Sequence, residues 1–384
     1  MKIVICGNYG ASNIGDEAIL DGILLMVRRG LVTAIDGSSR ECNITVMSAS
    51  PEDTKRRIHG GGGYPLGVSY SGSTQYDSVH FFPAGCRSFF RGIASGSIWK
   101  TIRAVRDADL FILGGGGLFQ DERPMAIIIW SLQAWLARIY RVPIFCLGQS
   151  VGPLKTFFGR SVTASVFRKA KIITVRDNSS VAMLKGMEIG GVKLVADPAF
   201  ALPSPEPFDE RPEEYVVLSV RPWKGTEIAR KNIEILNLFT KWLKEKHGLR
   251  TVLVPFHQED IKELKEISEG EQYVFTSDYS AIIELMSRAT AVIGMRLHSI
   301  IFATIAKCPF IALSYSQKVK SFVQTLDLEE YILDWNDLDL DDLKRKFSAL
   351  MKNRGELTLA TGDAGFVSRK RTLEHEDMLR EFFK

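Results

Sequence analysis

No two cysteines in this chain are spaced as a zinc knuckle or a redox pair. There are five, Cys6, Cys42, Cys86, Cys146 and Cys308, an odd and widely spread set with no CxxC. Neither a disulfide framework nor a structural zinc site is expected. Cys6 and Cys146 lie in apolar runs, where a buried and inert thiol is the ordinary outcome. No apolar run has the length of a membrane-spanning helix. Lys2 leads straight into Ile3-Val4-Ile5-Cys6, too short for a signal-peptide core and without a small-residue cleavage site. These absences together predict reducing, cytoplasmic surroundings. Charge of one sign is lacking as well: 49 Lys and Arg against 45 Asp and Glu leave only +4. So small an excess makes no case for nucleic acid, and suits an anionic substrate or a membrane surface equally. A Ser-His-Asp signature, HExxH, an EF-hand loop and the kinase set are all missing, so hydrolase and metal chemistry have no motif behind them. No metal and no cofactor are expected.

What is present is a chain of 384 residues, 45% hydrophobic and 24% charged. That composition excludes a disordered chain, and the length suits two domains. Short apolar runs at Lys2 to Cys6, Ile44 to Met47, Leu110 to Leu113, Ile144 to Leu147, Ile172 to Val175 and Val192 to Val195 read as buried strands. Helical spacing lies between several of them, as in Asp16 to Arg29, where Ile19, Leu20, Ile23, Leu24 and Val27 share one face. Unbroken apolar strands alternating with helices predict a parallel sheet covered on both faces. Pro198, Pro203, Pro205, Pro207 and Pro212 then read as a linker. The alternation restarts with strands at Tyr215 to Val220, Thr251 to Val254, Ala291 to Ile293 and Phe310 to Leu313. The expected fold is α/β, with two Rossmann-like domains facing a cleft, over 1–203 and 213–355. A helix over 356–384 is placed to cross back onto the first domain. Ligands of such sheets sit beyond the carboxyl ends of the strands, which says where to search for chemistry.

The first strand runs into Gly7-Asn8-Tyr9-Gly10-Ala11-Ser12-Asn13-Ile14-Gly15-Asp16-Glu17. A glycine-rich turn before a helix exposes backbone N–H groups that attract anions. It is neither GxGxxG nor a P-loop, so no dinucleotide or triphosphate is implied. Asp16 and Glu17 have an ordinary alternative role in complementing the helix N-terminus. A second turn, Gly114-Gly115-Gly116-Gly117, is expected to bring backbone close to a ligand at Gly116, with Gln120, Asp121 and Arg123 beside it to hold a polar acceptor. A tight turn with no ligand is the competing reading. Arg176 closes a strand where a guanidinium suits a carboxylate or phosphate, or else pairs with a neighbouring acid. In the second half Arg221 follows one strand, and Gly294-Met295-Arg296-Leu297-His298-Ser299 carries another straight into a helix. Two potential cations at a helix N-terminus oppose the helix dipole, a conflict that an anionic ligand would resolve. Lys318 follows the next strand and joins the same rim, unless it is an ordinary surface lysine.

Two surface features complete the reading. Gly60 to Ser73 is glycine- and serine-rich and reads as a loop. Arg87, Arg91, Lys100, Arg103 and Arg106 interleave with Phe89, Phe90, Ile93, Ile98 and Trp99. Such a segment suits either a membrane interface or a helix packed on its own domain with a solvated basic face.

Taken in order, GNYGASNIGDEAIL, ILGGGGLFQD, GQSVGP, TVRD, VADPAF, SVRPW, VPFHQED, GMRLHSIIFA and SYSQKVKSF resemble the polysaccharide pyruvyl transferase family across Gly7 to Phe322. The resemblance implies a GT-B-like fold with no nucleotide-sugar requirement. It implies transfer of pyruvate from phosphoenolpyruvate to a sugar as a ketal. Donor recognition would then fall to Arg176, Arg296, Leu297 and His298, with catalysis by His298, Arg296 and Lys318. Substrate contacts would extend to Asn13, Asp16, Glu17, Gly116, Gln120, Asp121, Arg123 and Arg221. The implied acceptor is a saccharide, lipid-linked and made at the inner face of the membrane, with peripheral membrane contact and no nucleic acid. One alternative is a glycosyltransferase using a nucleotide sugar, which needs a ribose-binding carboxylate; Asp278 and Glu284 are the candidates. Another is a silent carbohydrate-binding protein. Fold alone does not separate them.

Overall fold

The structure is a computed structural model that describes residues 1–32, 41–59, 74–122, 124–205, 213–222, 226–267, 272–276 and 278–384. The Gly60 to Ser73 segment, Arg123, Pro207 and Pro212 lie outside the described residues. The chain divides into two compact units. The first holds Met1–Ala11, Asp16–Ala201 and Ser368–Lys384, and the second holds Ser12–Gly15 and Leu202–Val367.

The first unit is built on seven strands: β1 (Lys2–Cys6), β2 (Asn43–Ser48), β3 (Gln75–His80), β4 (Leu110–Phe119), β5 (Ile144–Val151), β6 (Ile172–Val175) and β7 (Val192–Leu194). Its helices are α1 (Ile14–Val32), α2 (Pro51–His59), α3 (Cys86–Ala94), α4 (Ser97–Arg106), α5 (Pro124–Ile139), α6 (Phe157–Phe167) and α7 (Asn178–Lys185), of which α1 starts within the second unit's segment. The strand order is β3-β2-β1-β4-β5-β6-β7, and neighbouring strands run parallel throughout. Val4, Cys6, Phe111, Leu113 and Cys146 feed one buried cluster, while Ile3, Ile5, Leu110, Ile112 and Phe145 feed another. The period-2 alternation of a strand thus serves two covered faces. Ile19, Leu20, Ile23, Leu24 and Val27 of α1 are all buried, as their spacing predicts.

The second unit repeats the plan with six strands: β8 (Tyr215–Ser219), β9 (Arg250–Leu253), β10 (Gln272–Tyr273), β11 (Ala291–Gly294), β12 (Phe310–Ser314) and β13 (Ile332–Asp334). They run parallel in the order β10-β9-β8-β11-β12-β13. The helices are α8 (Thr226–His247), α9 (Asp260–Leu264), α10 (Tyr279–Arg288), α11 (Leu297–Ile305), α12 (Gln317–Gln324), α13 (Leu340–Lys352) and α14 (Arg354–Phe382). α14 begins in the second unit and its residues from Ser368 belong to the first.

Three sequence readings change. Pro198 is not linker: Pro198–Ala201 forms a buried 3-10 turn, because Pro198, Ala199, Phe200 and Ala201 are apolar enough to join the core. The four glycines at 114–117 do not form a tight turn, since β4 continues through them to Phe119. The irregularity is absorbed within the strand, where Gly115 and Gly116 take φ of 31° and 89° and the register with β5 shifts after Gly116. The unit boundaries separate Ser12–Gly15 from the flanking residues, which a single 1–203 domain does not.

The last turns of α14 are tied into the first sheet by polar groups. His375 is fully buried, its Nδ1 lies 2.8 Å from the Thr372 carbonyl and its Nε2 lies 2.8 Å from Thr174 Oγ1. A carbonyl only accepts, so Nδ1 carries the proton and Nε2 accepts from the Thr174 hydroxyl. Thr174 Oγ1 in turn accepts the Gly148 N–H at 2.8 Å, and Thr372 Oγ1 donates to the Asp197 carbonyl at 3.0 Å. Burial pushes the His375 imidazole down to about 4, against the opposing pull of the Thr372 carbonyl and of Asp197. An imidazole depressed on folding contributes stability above the unfolded value of about 6.5, and loses it as pH falls toward about 4. Urea unfolding of His375→Gln, which keeps an acceptor for Thr174, is expected to show a flatter stability profile between pH 6.5 and 4. An unchanged slope would mean that another group carries the acid limb.

Candidate active site

In the first sheet the strand order reverses between β1 and β4, and in the second between β8 and β11. These are the switch points where open α/β sheets bind ligands. Each is described within its own unit.

At the first switch point the chain leaves β1 through Gly7 to Gly10. Asn8 Nδ2 donates to Asp16 Oδ2 at 2.7 Å, and the Gly10 N–H donates to Glu17 Oε1 at 2.7 Å. Arg57 of α2 then bridges Glu17 at 2.7 Å and Asp21 at 2.8 Å. Burial pushes the Glu17 carboxyl up to about 7, with Asp21 and Asp16 adding to the rise and Arg57 and the Gly10 N–H opposing it. Glu17 is thus a brace between the turn and α2. Asp16 stands beside Gly116: a β-carbon there would lie 3.3 Å from Asp16 Oδ1, and φ of 89° already disfavours any side chain.

Gln120 donates from Nε2 to the Gly117 carbonyl at 2.5 Å. Asp121 accepts from the Thr156 N–H at 2.6 Å, from Thr156 Oγ1 at 2.9 Å and from the Lys155 N–H. Burial works against ionisation of Asp121, but these donors hold its carboxyl below the usual range. It organises the entry to α6.

Arg176 follows β6, as expected, but it is buried and closed. Its Nη1 pairs with Asp197, which is also buried, and its Nε donates to Ser150 Oγ at 2.8 Å. Ser150 Oγ continues to Asp177 at 2.6 Å. Asp177 caps α7 through the Ser180 N–H at 2.8 Å. Burial would raise its carboxyl, yet donors from Ser150, Ser179 and Ser180 and the charge of Arg176 hold it low. Of the two local readings of Arg176, pairing with an acid is the one the structure carries. The acid comes from the VADPAF element, 21 residues away.

The second switch point gathers more cations. β11 ends at Gly294, and Arg296 stands at the N-terminus of α11 in extended conformation. Its Nε donates to Asp260 Oδ2 at 2.6 Å and its Nη2 pairs with Asp260 Oδ1. Asp260 is fully buried and also accepts the N–H groups of Phe256 and His257, each at 3.0 Å. The conflict between Arg296 and the helix dipole is therefore resolved by a carboxylate within the unit. The fork of Arg296 is fixed in one orientation by a bidentate pair.

Leu297 and His298 occupy the first turn of α11, both half-buried. The His298 ring lies 6.3 Å from that of Phe302. It packs so closely on the Asn13-Ile14-Gly15 segment that a β-carbon at Gly15 would overlap the imidazole. Asn13 holds that segment by accepting the Gly15 N–H at 3.1 Å, and the Ile14 N–H donates to the Phe256 carbonyl at 3.1 Å. Arg221, beyond β8, donates from Nη1 to Tyr315 Oη at 3.2 Å, with its guanidinium carbon 5.1 Å from that ring's centre. Lys318 sits half-buried in the first turn of α12.

Asn13, Arg221, Arg296, Leu297, His298 and Lys318 belong to the second unit, while Asp16, Glu17, Gly116, Gln120, Asp121 and Arg176 belong to the first. Arg123 lies outside the described residues. Asp260, Tyr315 and Asp197 went unassigned from sequence. Each lay within a recognised element, but nothing in the spacing pairs residues 36 or 94 apart. Asp278 caps α10 through the Ser280 N–H at 2.8 Å, and Glu284 pairs with Arg288 at 2.6 Å. Both proposed ribose ligands therefore have structural roles.

Solved structures with this fold are GT-B-type enzymes. The Anabaena protein HepE, solved with UDP-glucose, aligns with a TM-score of 0.60 at 13% identity over 100% of this chain and 99% of its own. The UDP-GlcNAc 2-epimerase of Methanocaldococcus jannaschii aligns with a TM-score of 0.60 at 11% identity, covering 99% and 100%. At those identities the likeness shows the fold alone. In sequence the chain is 22% identical to the amylovoran biosynthesis protein AmsJ of Erwinia amylovora, over 93% of this chain and 94% of that one. The profile of polysaccharide pyruvyl transferases matches residues 13–317, a span that contains the turn at Asn13, the Arg296–His298 helix start and the Tyr315 rim, and the chain belongs to that family.

Proposed function

We propose that this pyruvyltransferase takes phosphoenolpyruvate as donor and joins its pyruvyl carbon to two hydroxyls of a lipid-linked saccharide. The observation that carries the reading is the second switch point. There Arg296, locked on the buried Asp260, stands at the N-terminus of α11 two residues before His298, with Arg221 following β8 and Lys318 in the first turn of α12. An oriented guanidinium and an imidazole at a helix N-terminus suit a small ligand bearing both a carboxylate and a phosphate.

In this mechanism Asp260 holds Arg296 so that the rest of its guanidinium meets the donor's carboxylate. His298 delivers a proton to C3 of the enol, which makes C2 electrophilic. A sugar hydroxyl adds to C2 and returns its proton to His298, the C2–O bond to phosphate breaks, and inorganic phosphate leaves toward Lys318 and Arg221. The second hydroxyl closes the ketal, its proton leaving on the phosphate. Arg176, neutralised by Asp197, is left out of the donor contacts and shapes the strand ends of the first sheet.

Calorimetric titration with phosphoenolpyruvate, and separately with a panel of nucleotide sugars, tests the donor. Phosphoenolpyruvate is expected to bind, and Arg296→Lys to weaken it by at least tenfold. Lysine keeps a charge beside Asp260 but loses the planar fork, so the fold is preserved while recognition is not. Binding of a nucleotide sugar alone would turn the assignment to glycosyl transfer.

A further inference from the structure

α3 is a helix with almost nothing beneath it. Of its nine residues Gly92 alone is buried, packed against Ile98 of α4. Yet the helix carries Phe89, Phe90 and Ile93. At about 100° per residue these three fall within an arc of roughly 100°, centred about 110° from Gly92. Exposure follows the angle: Phe89 is 38% exposed, Ile93 41% and Phe90, almost opposite Gly92, 69%. Phe89 leans on Phe82 with ring centres 6.5 Å apart, which explains why it is the least exposed of the three. Arg87 and Arg91 lie beyond the Phe90 edge of the arc, both exposed. On α4, Ile98, Thr101 and Val105 face inward, and the opposite side presents Trp99, 61% exposed, among Lys100, Arg103 and Arg106. Arg106 pairs with Asp107 at 2.7 Å, and the other four cations stand in a stretch between Asp77 and Asp107 that holds no aspartate or glutamate.

A packed surface helix buries its apolar arc and solvates its basic one. Here both are exposed. We propose that the α3–α4 hairpin is a docking surface for an anionic lipid bilayer, with the α3 arc and Trp99 entering the headgroup region and Arg87, Arg91, Lys100 and Arg103 meeting lipid phosphates. Charge complementarity selects an anionic partner. The apolar arc selects one that offers hydrocarbon, because a purely polyanionic chain would leave Phe90 and Ile93 unsatisfied. The inference does not depend on which donor the enzyme uses.

Co-sedimentation of the full chain with phosphatidylcholine vesicles, and with vesicles containing phosphatidylglycerol, tests it. Binding is expected only to the anionic vesicles. It should weaken by at least on the order of tenfold in Arg91→Glu/Arg103→Glu, and by a comparable factor in Phe90→Ser/Trp99→Ser, with melting temperature unchanged in both. Absence of binding to anionic vesicles overturns the proposal. So does binding that survives loss of Phe90 and Trp99, which would mark a general polyanion site. Cys86 offers a second measurement, being exposed in the same arc while the other four cysteines are buried. An environment-sensitive dye on Cys86 is expected to shift to the blue with anionic vesicles. Co-sedimentation without that shift would assign docking to another surface.

Discussion

His298→Ala is expected to lower kcat by about 10²–10⁴-fold, the usual contribution of a positioned proton donor, while phosphoenolpyruvate affinity changes little. The split matters, because a residue that only binds the donor would raise KM and leave turnover at saturation intact. Gly15→Ala gives an independent approach to the same ring. The added methyl would overlap the imidazole and must displace it, so turnover should fall although the histidine remains. Full turnover in His298→Ala would remove it from the mechanism. Its neighbour Arg296 should behave differently, since the proposal gives the fork locked on Asp260 to binding and orientation.

The largest loss of stability is expected at the first unit's buried ion pair. Asp197→Ala leaves the buried Arg176 guanidinium with Ser150 Oγ as its hydrogen-bond partner and Asp177 behind it, and removing one member of such a pair costs about 3–5 kcal/mol. The change also frees the Ala199 N–H, which Asp197 accepts at 2.9 Å in the turn that follows. Arg176→Met/Asp197→Leu removes both charges and should recover much of the loss, because a buried pair is often no better than apolar side chains of similar volume. Denaturant unfolding of the single and double variants measures this. The double variant also separates packing from recognition. It is expected to bind phosphoenolpyruvate within about threefold of the wild type, since a tenfold change in affinity corresponds to about 1.4 kcal/mol and Arg176 is assigned no donor contact. A complete loss of binding in a folded double variant would return Arg176 to the donor site.

The pH profile of stability combines two opposing groups. His375 makes stability fall as the solution becomes more acid than about 6.5. Glu17 acts in the other direction. A carboxyl raised on folding contributes stability below its unfolded value, and loses it as pH rises through about 7. Both sit on the first unit's polar scaffold, where they act in opposite directions.

Much of the fold lay open in the sequence, because strand burial and helix periodicity are local. The unbroken apolar runs of β1, β4, β5, β8, β11 and β12 could only be parallel strands covered on both faces, and Ile19 to Val27 could only pack inward on α1. The short edge strands β3, β10 and β13 escaped notice, since an edge strand half in water needs no apolar run. Gly248, just past α8, takes φ of 68°, the left-handed conformation that commonly closes a helix. The four glycines at 114–117 misled, because a glycine run reads as a turn until a neighbouring strand shows that the ladder continues. The order of motifs was enough to reach the family. The tertiary structure decided who pairs with whom. Asp260 lies far along the chain from Arg296, as Asp197 does from Arg176 and His375 from Thr174, and only the parallel stacking of strand ends brings such partners together. Each pairing changes the chemistry assigned to its cation or imidazole, because a buried charge takes its properties from the group that compensates it and no local pattern of residues specifies that group.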